Sequence, residues 1–384
     1  MTPKDILTNP AFCPMPWTGL MYNFDGDVKN CIRSAGKLGN IRDNSIEQIL
    51  MGPTNMHTQF NMINREPGPN CSPCYDLDKG KRGFEHISDR VFYIRELKNV
   101  PPSTYSEQNF DLQTVDVRWT NLCNFACTYC GPKFSSRWAD ELKIHPAVPT
   151  DEQRAEFKQY ILDRAPTLKH VYMAGGEPLL MKENLELLDL LDPDVNLRIN
   201  TNLSKVDTRV FERICEFKNV HWIVSIDSIE EEFEYIRYGG RWRDFLDNLS
   251  TIKQLNHKIS FNMLHFLLNY LSIFECIYYL KGLGFHNNSF VLGPLLTPEY
   301  LNIRHLPKDM LKSVELKLQY HISEQPGYLL EDGLRNMLNY IQQPFAANIE
   351  QSLKEIAELD QRRSISSQAV FKSFYHFIKE NHYG

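Results

Sequence analysis

The chain has 384 residues, with Lys plus Arg 42 against Asp plus Glu 48 and a formal net charge of −6. Its 42% hydrophobic and 23% charged content is that of an ordinary globular protein of about two to three domains. The acidic balance argues against a nucleic-acid partner, which calls for clustered Lys and Arg, and Gly 19 with Pro 21 excludes collagen-like and low-complexity classes. The opening MTPKDILTNPAF lacks the apolar core of a signal peptide. The most apolar run, Phe261 to Leu280, is broken by Asn262, His265, Asn269 and Glu275, so it reads as a buried strand and a helix, not a membrane span. A cytoplasmic location is expected.

In chain order, residues 1–85 read as a small irregular module. Thr18–Phe24 and Val28–Cys31 form two short strands about Asp25-Gly26-Asp27, since Asp-Gly tolerates the positive φ of a tight hairpin. A short helix starts near Ser45 (SIEQIL), and the Pro/Gly-rich NREPGPNCSPC suits a loop that presents ligands. So few apolar residues predict a module that needs a bound metal centre as a staple. Lys79-Gly80-Lys81-Arg82 follows Asp76 and Asp78 and reads as a solvated loop. Residues 86–110, ending in PPSTYSEQ, read as a connector.

Over residues 111–293 strands and helices alternate. Strands are expected at 115–119, 168–173, 195–199, 222–226, 258–264 and 289–292, with helices at 152–163, 179–191, 211–217, 241–255 and 271–281. Six β/α units imply a parallel sheet or a partial (β/α)6 TIM-like barrel, short of the eight that close one. Residues 294–384 read as helical, over 308–323, 329–342, 347–360 and 366–380, with a break at Pro344.

Nine cysteines stand at 13, 31, 71, 74, 123, 127, 130, 215 and 276. An odd count without a secretory signal argues against a disulfide framework. Cys123, Cys127 and Cys130 form C-x3-C-x2-C directly after a predicted strand. Three thiolates on one loop can hold three irons of a cubane cluster and leave the fourth open to a small molecule. Structural zinc is the rival, but it needs four ligands, and the next histidine is His145. Cys13, Cys31, Cys71 and Cys74 supply four further thiolates, for an iron–sulfur cluster or for a four-cysteine zinc site. Cys215 and Cys276 sit in helix-like patterns and are expected to pack in the core.

Cys123-Asn-Phe-Ala-Cys127-Thr-Tyr-Cys130 resembles the cluster loop of the radical SAM superfamily. Ala174-Gly-Gly-Glu-Pro178, Asn200-Thr-Asn202 and Ser225-Ile-Asp227 resemble that family's motifs at successive strand ends. The resemblance covers roughly 111–293. It implies S-adenosylmethionine chelated to the open iron, with Gly175, Gly176 and Glu177 near its amino group and Tyr129 by the adenine. Asn202 and Ser225 would serve the ribose or methionine portion, and Arg237 would pair with the carboxylate. Asp227, His265 and Asn269 are candidate substrate contacts. The cysteines of residues 1–85, with Phe12-Cys-Pro-Met-Pro-Trp17 and Leu38-Gly-Asn-Ile41, resemble the twitch domain, a short relative of the SPASM domain that binds an auxiliary Fe–S cluster. Here it precedes the barrel, where such modules usually follow it.

The resemblance therefore implies a two-cluster enzyme. It would cleave S-adenosylmethionine to a 5′-deoxyadenosyl radical and take a hydrogen atom from its substrate, fed by a flavodoxin or ferredoxin-type electron donor. Four cysteines saturate the auxiliary cluster, which suits electron transfer. The substrate is a peptide or protein in one reading and a small polar metabolite, such as a sugar or cyclitol, in another. A non-catalytic iron–sulfur or zinc module is the third reading, and a complete GGEP motif and cysteine triplet argue against it.

Overall fold

The structure, a computed structural model, describes residues 9–78, 88–96, 104–106, 108–324 and 329–380. The stretch Lys79–Arg82 lies outside the described residues. Two compact units emerge, one of residues 1–123, 132–201 and 205–222, the other of residues 124–131, 202–204 and 223–384.

The first unit is built on a sheet in the order β3-β2-β1-β4-β5-β6. Its strands are β1 (Gly19–Asn23), β2 (Asp27–Lys29), β3 (Gly39–Asn40), β4 (Thr114–Arg118), β5 (His170–Met173) and β6 (Asn196–Thr201). β1 and β2 form the expected hairpin, with Gly26 at φ +91° in the turn. Pairing is parallel from β1 through β4 and β5 to β6. The N-terminal region has packing of its own. β1 lies in register along β4, and Phe12, Trp17 and Tyr105 pack ring on ring with Met62 in a core of their own. The hairpin of this N-terminal region extends the same sheet as β4 to β6. NREPGPNCSPC is also more ordered than a loop. A Pro53–Ile63 helix runs up to it, and it continues into a Pro69–Cys71 turn and a Ser72–Asp78 helix.

Side chains alternate across the parallel strands with period two. One face carries Val115, Val117, Val171, Met173, Leu197 and Ile199, all buried. Tyr22 on this side stacks on Phe157 of the Asp151–Leu162 helix, with ring centroids 4.0 Å apart. The opposite face carries Asp116, Arg118, Tyr172 and Arg198, and the register sets Asp116 beside Tyr172 and Tyr172 beside Arg198.

β7 (Val220–Ser225) spans the residue at which the chain divides into units. In the second unit β8 (Lys258–His265) and β9 (Phe290–Pro294) pair parallel. β4 to β9 make up the six expected strands, each within two residues of its expected start. The sheet ends at β3 rather than closing, so the fold is α/β with an unclosed parallel sheet. The helical tail forms at Lys308–Glu324, Leu329–Ile341 and Ile349–Arg363, and the last expected helix divides into Ser367–Val370 and Lys372–Glu380. Among the described residues no helix is long and apolar enough to cross a membrane.

Candidate functional site

In the first unit β4 leads directly to the segment that ends at Cys123. The Cys123 N–H donates to Ser136 Oγ at 3.2 Å, and the Ser136 hydroxyl donates to the Cys123 carbonyl at 3.3 Å. The turn after β5 lies against the same segment. Gly175 has φ +111°, a conformation that favours glycine, and a Cβ on Gly176 would stand 2.1 Å from the Leu122 carbonyl oxygen. The Glu177 N–H donates to that carbonyl at 2.7 Å. The Glu177 side chain is fully buried, and Oε1 accepts from the Thr201 hydroxyl at 2.7 Å and from the Leu179 N–H at 3.1 Å. Trp119 Nε1 donates to Asn184 Oδ1, whose amide donates on to the Pro178 carbonyl. The GGEP turn is thus locked to the start of the cysteine loop by backbone contact.

Also in this unit, Cys13, Cys31, Cys71 and Cys74 line one cavity together with Arg33, Asp89, Arg90 and Tyr93. Cys74 lies on the Ser72–Asp78 helix and Cys71 at the turn before it. Among the described residues no three such side chains sit at single-ion spacing, and the four thiols surround an enclosed space instead. Burial pushes the Cys13 thiol well up, and Cys71 and Cys31 push it further. Burial likewise raises Cys31 to about 12 and Cys71 to about 11. Four thiols gathered on one cavity, each costly to ionise without a cation, become on deprotonation the donor set of a cationic centre, and they fit a bound cluster. The Arg33–Asp89 pair at 2.6 Å and the Arg90–Asp78 pair at 2.7 Å flank it.

In the second unit the cysteine loop is stitched to residues 236–238. The Ala126 N–H donates to the Tyr238 carbonyl and the Thr128 N–H to the Ile236 carbonyl, each at 2.8 Å. Arg237 lies between these bonds and turns inward. It donates to Asp227 Oδ2 at 2.7 Å, to the Tyr129 hydroxyl at 2.6 Å and to Cys127 Sγ at 3.9 Å. A hydrogen bond from Cys130 lowers the Cys127 thiol against the burial that raises it, and Arg237 adds to the lowering. Asn202 donates to Asn124 Oδ1 at 3.2 Å, and Ser204 bonds both residues. Ser225 is half-buried at the end of β7. The helical tail, which carries no sequence motif, braces this region. The Tyr235 hydroxyl donates to Asp360 at 2.6 Å, and Arg363 lies over the Tyr238 ring at 4.5 Å.

The candidate substrate contacts lie deep. Asp227 is fully buried, and besides Arg237 and Tyr129 it accepts from the Leu264 N–H at 2.8 Å. His265 is fully buried, with Nε2 3.0 Å from the Tyr270 carbonyl and Nδ1 without a partner. Asn269 is fully buried too, and it bridges the Asp227 and Leu264 carbonyls. Cys276 packs in the core as expected. Cys215 does not; it caps the Arg209–Ile214 helix half-buried, and burial with Glu212 and Glu216 raises its thiol to about 11. Thr201 escapes a reading by motif, although it lies inside Asn200-Thr-Asn202. Arg198 and Asp116 escape it as well, and their signal is a charged residue at the same parity on neighbouring buried strands.

Two stretches of the chain match known families. Residues 117–273 match the radical SAM superfamily and residues 13–75 match an iron-sulfur cluster-binding domain, SPASM. A GTP 3′,8-cyclase of Campylobacter lari is 24% identical over 148 residues, 37% of this chain and 44% of its own. A 7-carboxy-7-deazaguanine synthase of Clostridium acetobutylicum is 34% identical over 106 residues, 28% of this chain and 42% of its own. The chain thus spans less than half the length of these two curated relatives. Among solved structures, native anSMEcpe with bound AdoMet aligns with TM-score 0.43 and 16% identity over 56% of this chain and 61% of its own. Streptococcus suis SuiB bound to S-adenosylmethionine aligns with TM-score 0.39 and 14% identity over 73% and 63%. The chain therefore carries a radical SAM domain over residues 117–273, preceded by an iron–sulfur cluster-binding SPASM domain over residues 13–75.

Proposed function

We propose that the protein is a two-cluster radical SAM enzyme that abstracts a hydrogen atom from its substrate. The observation that carries this reading is the cysteine loop itself: Cys123, Cys127 and Cys130 lie within the matched superfamily region, with the loop backbone pinned to residues 236–238. With a cluster on these three thiolates, one-electron cleavage of S-adenosylmethionine at the open iron supplies the hydrogen-abstracting chemistry.

The chain's own residues do the rest. Gly175 and Gly176 leave backbone bare where the amino group of S-adenosylmethionine would approach, and buried Glu177 sets a carboxylate beside it. Asn202 and Ser225 serve its ribose or methionine portion, and Tyr129 offers its backbone to the adenine, because its phenol is held by Asp227. Arg237 offsets the charge of Cys127 and would pair with the carboxylate of S-adenosylmethionine. Cys13, Cys31, Cys71 and Cys74 hold the auxiliary cluster, and because four thiolates saturate it, electron transfer is its role. A flavodoxin or ferredoxin-type protein delivers the starting electron.

The substrate is a peptide or protein in the reading that the SPASM domain supports. A small polar metabolite is the second reading, favoured by the names of the curated relatives, one given for GTP and one for a carboxylated deazaguanine.

The experiment is anaerobic purification and reconstitution, an iron count, and an assay for 5′-deoxyadenosine under dithionite. About eight irons per chain with 5′-deoxyadenosine formed is the expected result. Zinc in place of iron, with no S-adenosylmethionine cleavage, overturns the reading.

A further inference from the structure

The polar face of the first unit's sheet carries a half-buried arginine to which no side chain of the described residues hydrogen-bonds. Arg198 lies on β6 between two rings, 5.5 Å from the Tyr172 centroid and 5.6 Å from that of Phe92. Its Nε is buried and makes no hydrogen bond. Among the described residues no carboxylate oxygen bonds its guanidinium, although Asp116 lies near enough to feel its charge. Asp116 binds Arg118 through both oxygens, at 3.1 and 3.2 Å. Glu96 lies 3.8 Å from His170. Asp89 lies 2.6 Å from Arg33. The side chain is only half-buried, so its outer nitrogens remain open to a bonded anion, and the aromatic faces beside it return only part of what hydration supplies.

Two further observations say what this place is for. The register runs Asp116, Tyr172, Arg198 across three consecutive strands on one face, so the charges form one row. The row also connects the two chemical centres of this unit. At one end Arg118 meets the GGEP turn, where a Cβ on Gly175 would touch the Arg118 Cβ at 3.2 Å. At the other end Tyr93, which shares the Asp89–Glu96 helix with Phe92, lines the four-cysteine cavity.

We infer that this row is the substrate cradle, and that Arg198 receives an oxyanion of the substrate, a carboxylate or a phosphate, while Tyr172 and Phe92 flank it. This deepens the radical SAM reading by naming the substrate's chemical class, and it rests on that reading for the purpose of the pocket. The bond is charge-assisted and forked, which a guanidinium forms better than an ammonium. Arg198 is a binding and specificity residue, and Asp116 holds Arg118 at the GGEP end of the row.

The test uses the full-length reconstituted chain and two probes, inorganic phosphate and succinate, titrated at constant ionic strength against chloride while thermal unfolding is followed. The wild type should show a saturable rise in unfolding temperature with one or both probes. Saturation by phosphate alone assigns a phosphorylated substrate, by succinate alone a carboxylate, and either supports the cradle. Arg198→Met should abolish the saturable rise, and Arg198→Lys should weaken the apparent affinity about tenfold. Arg213→Met, on the surface with Asp189 as partner, should leave it unchanged. No saturable rise in the wild type, or an equal rise in Arg198→Met, overturns the inference. So does an unaltered affinity in Arg198→Lys, which covers the case where Arg198→Met fails to fold. The enzyme reading fails separately: a wild type that binds the probes but forms no 5′-deoxyadenosine keeps the oxyanion site and loses the radical chemistry.

Discussion

The Arg237 guanidinium meets the Asp227 carboxylate at 2.7 Å with both side chains buried, 5% and 0% exposed. Burial works against the charge on Arg237, and the opposing pull of Asp227, Tyr129 and Cys127 outweighs it, so the guanidinium stays protonated. The pair joins the end of β7 to the segment that carries Cys127. A residue expected to hold the cofactor's carboxylate is therefore already anchored by the protein, which fixes its position before any ligand arrives.

Breaking this pair from one side should be expensive. Asp227→Asn or Arg237→Gln leaves one buried charge uncompensated and should cost about 3–5 kcal/mol. The double variant Asp227→Leu with Arg237→Met should recover much of that loss, because two apolar groups need no counter-ion. Unfolding midpoints in denaturant read all three. A single variant as stable as the wild type would show that the pair is solvated in solution.

The GGEP turn has no room for one methyl group. A Gly176→Ala side chain would stand 2.1 Å from the Leu122 carbonyl, a backbone atom next to Cys123. Overpacking of this kind costs about 1–3 kcal/mol, and here the strain falls on a cluster ligand. The variant should lose about half of its iron, falling from about eight to about four per chain, with the remainder on the N-terminal cysteines. Gly282→Ala, which meets nothing within 4 Å, should keep the full count. An unchanged iron content in Gly176→Ala would mean that the loop gives way without consequence.

The auxiliary site makes the opposite prediction, because its surroundings hold themselves. Cys13→Ser removes one of four thiols and should cost about four irons, yet β1 stays in register with β4 and the Phe12, Trp17 and Tyr105 rings remain packed. Amide exchange at Leu20–Tyr22 should stay slow. Trp17→Ala attacks the core instead and should cost about 3–5 kcal/mol. Fast exchange throughout β1 in Cys13→Ser would show that the metal centre is the staple that composition alone suggests.

These contrasts show what could be read from the chain directly. The strands β4 to β9 were legible because buried parallel strands are short, apolar and bounded by turn residues. The cysteine spacing and the GGEP turn were legible because both are local. The joining of the N-terminal hairpin to the barrel sheet was not, since it rests on β1 pairing with β4 from far along the chain. The same holds for the Ser72–Asp78 helix: Pro73 sits at its start, where proline is tolerated, so the Pro-rich run reads as loop until its packing is seen. Arg198 looks like an ordinary exposed strand residue until the register sets it beside Tyr172. Asp227 looks available to a substrate until three donors are found on it.

A buried histidine gives the fold an acid limit. Burial lowers His265 from 6.5 to about 4, although its bond to the Tyr270 carbonyl favours the proton. Nε2 must carry the hydrogen for that carbonyl, and Nδ1 faces no acceptor. Phe274 packs edge-on against the ring. Between pH 6.5 and about 4 the unfolded chain takes up the proton that folded His265 refuses, so stability is complete above 6.5 and is lost as pH falls through that window. The loss approaches about 3 kcal/mol. His321 is buried too and is likewise lowered to about 4, by burial and then by Lys317 and Lys281, so it adds a comparable loss over the same window. His265→Leu should therefore flatten about half of the slope, at the cost of about 1–3 kcal/mol at pH 7.5 for the unpartnered Tyr270 carbonyl. Thermal midpoints at pH 7.5, 6.0 and 5.0 measure both effects, and a wild-type midpoint that does not fall between pH 6.5 and 5.0 would show that His265 accepts its proton in the folded state.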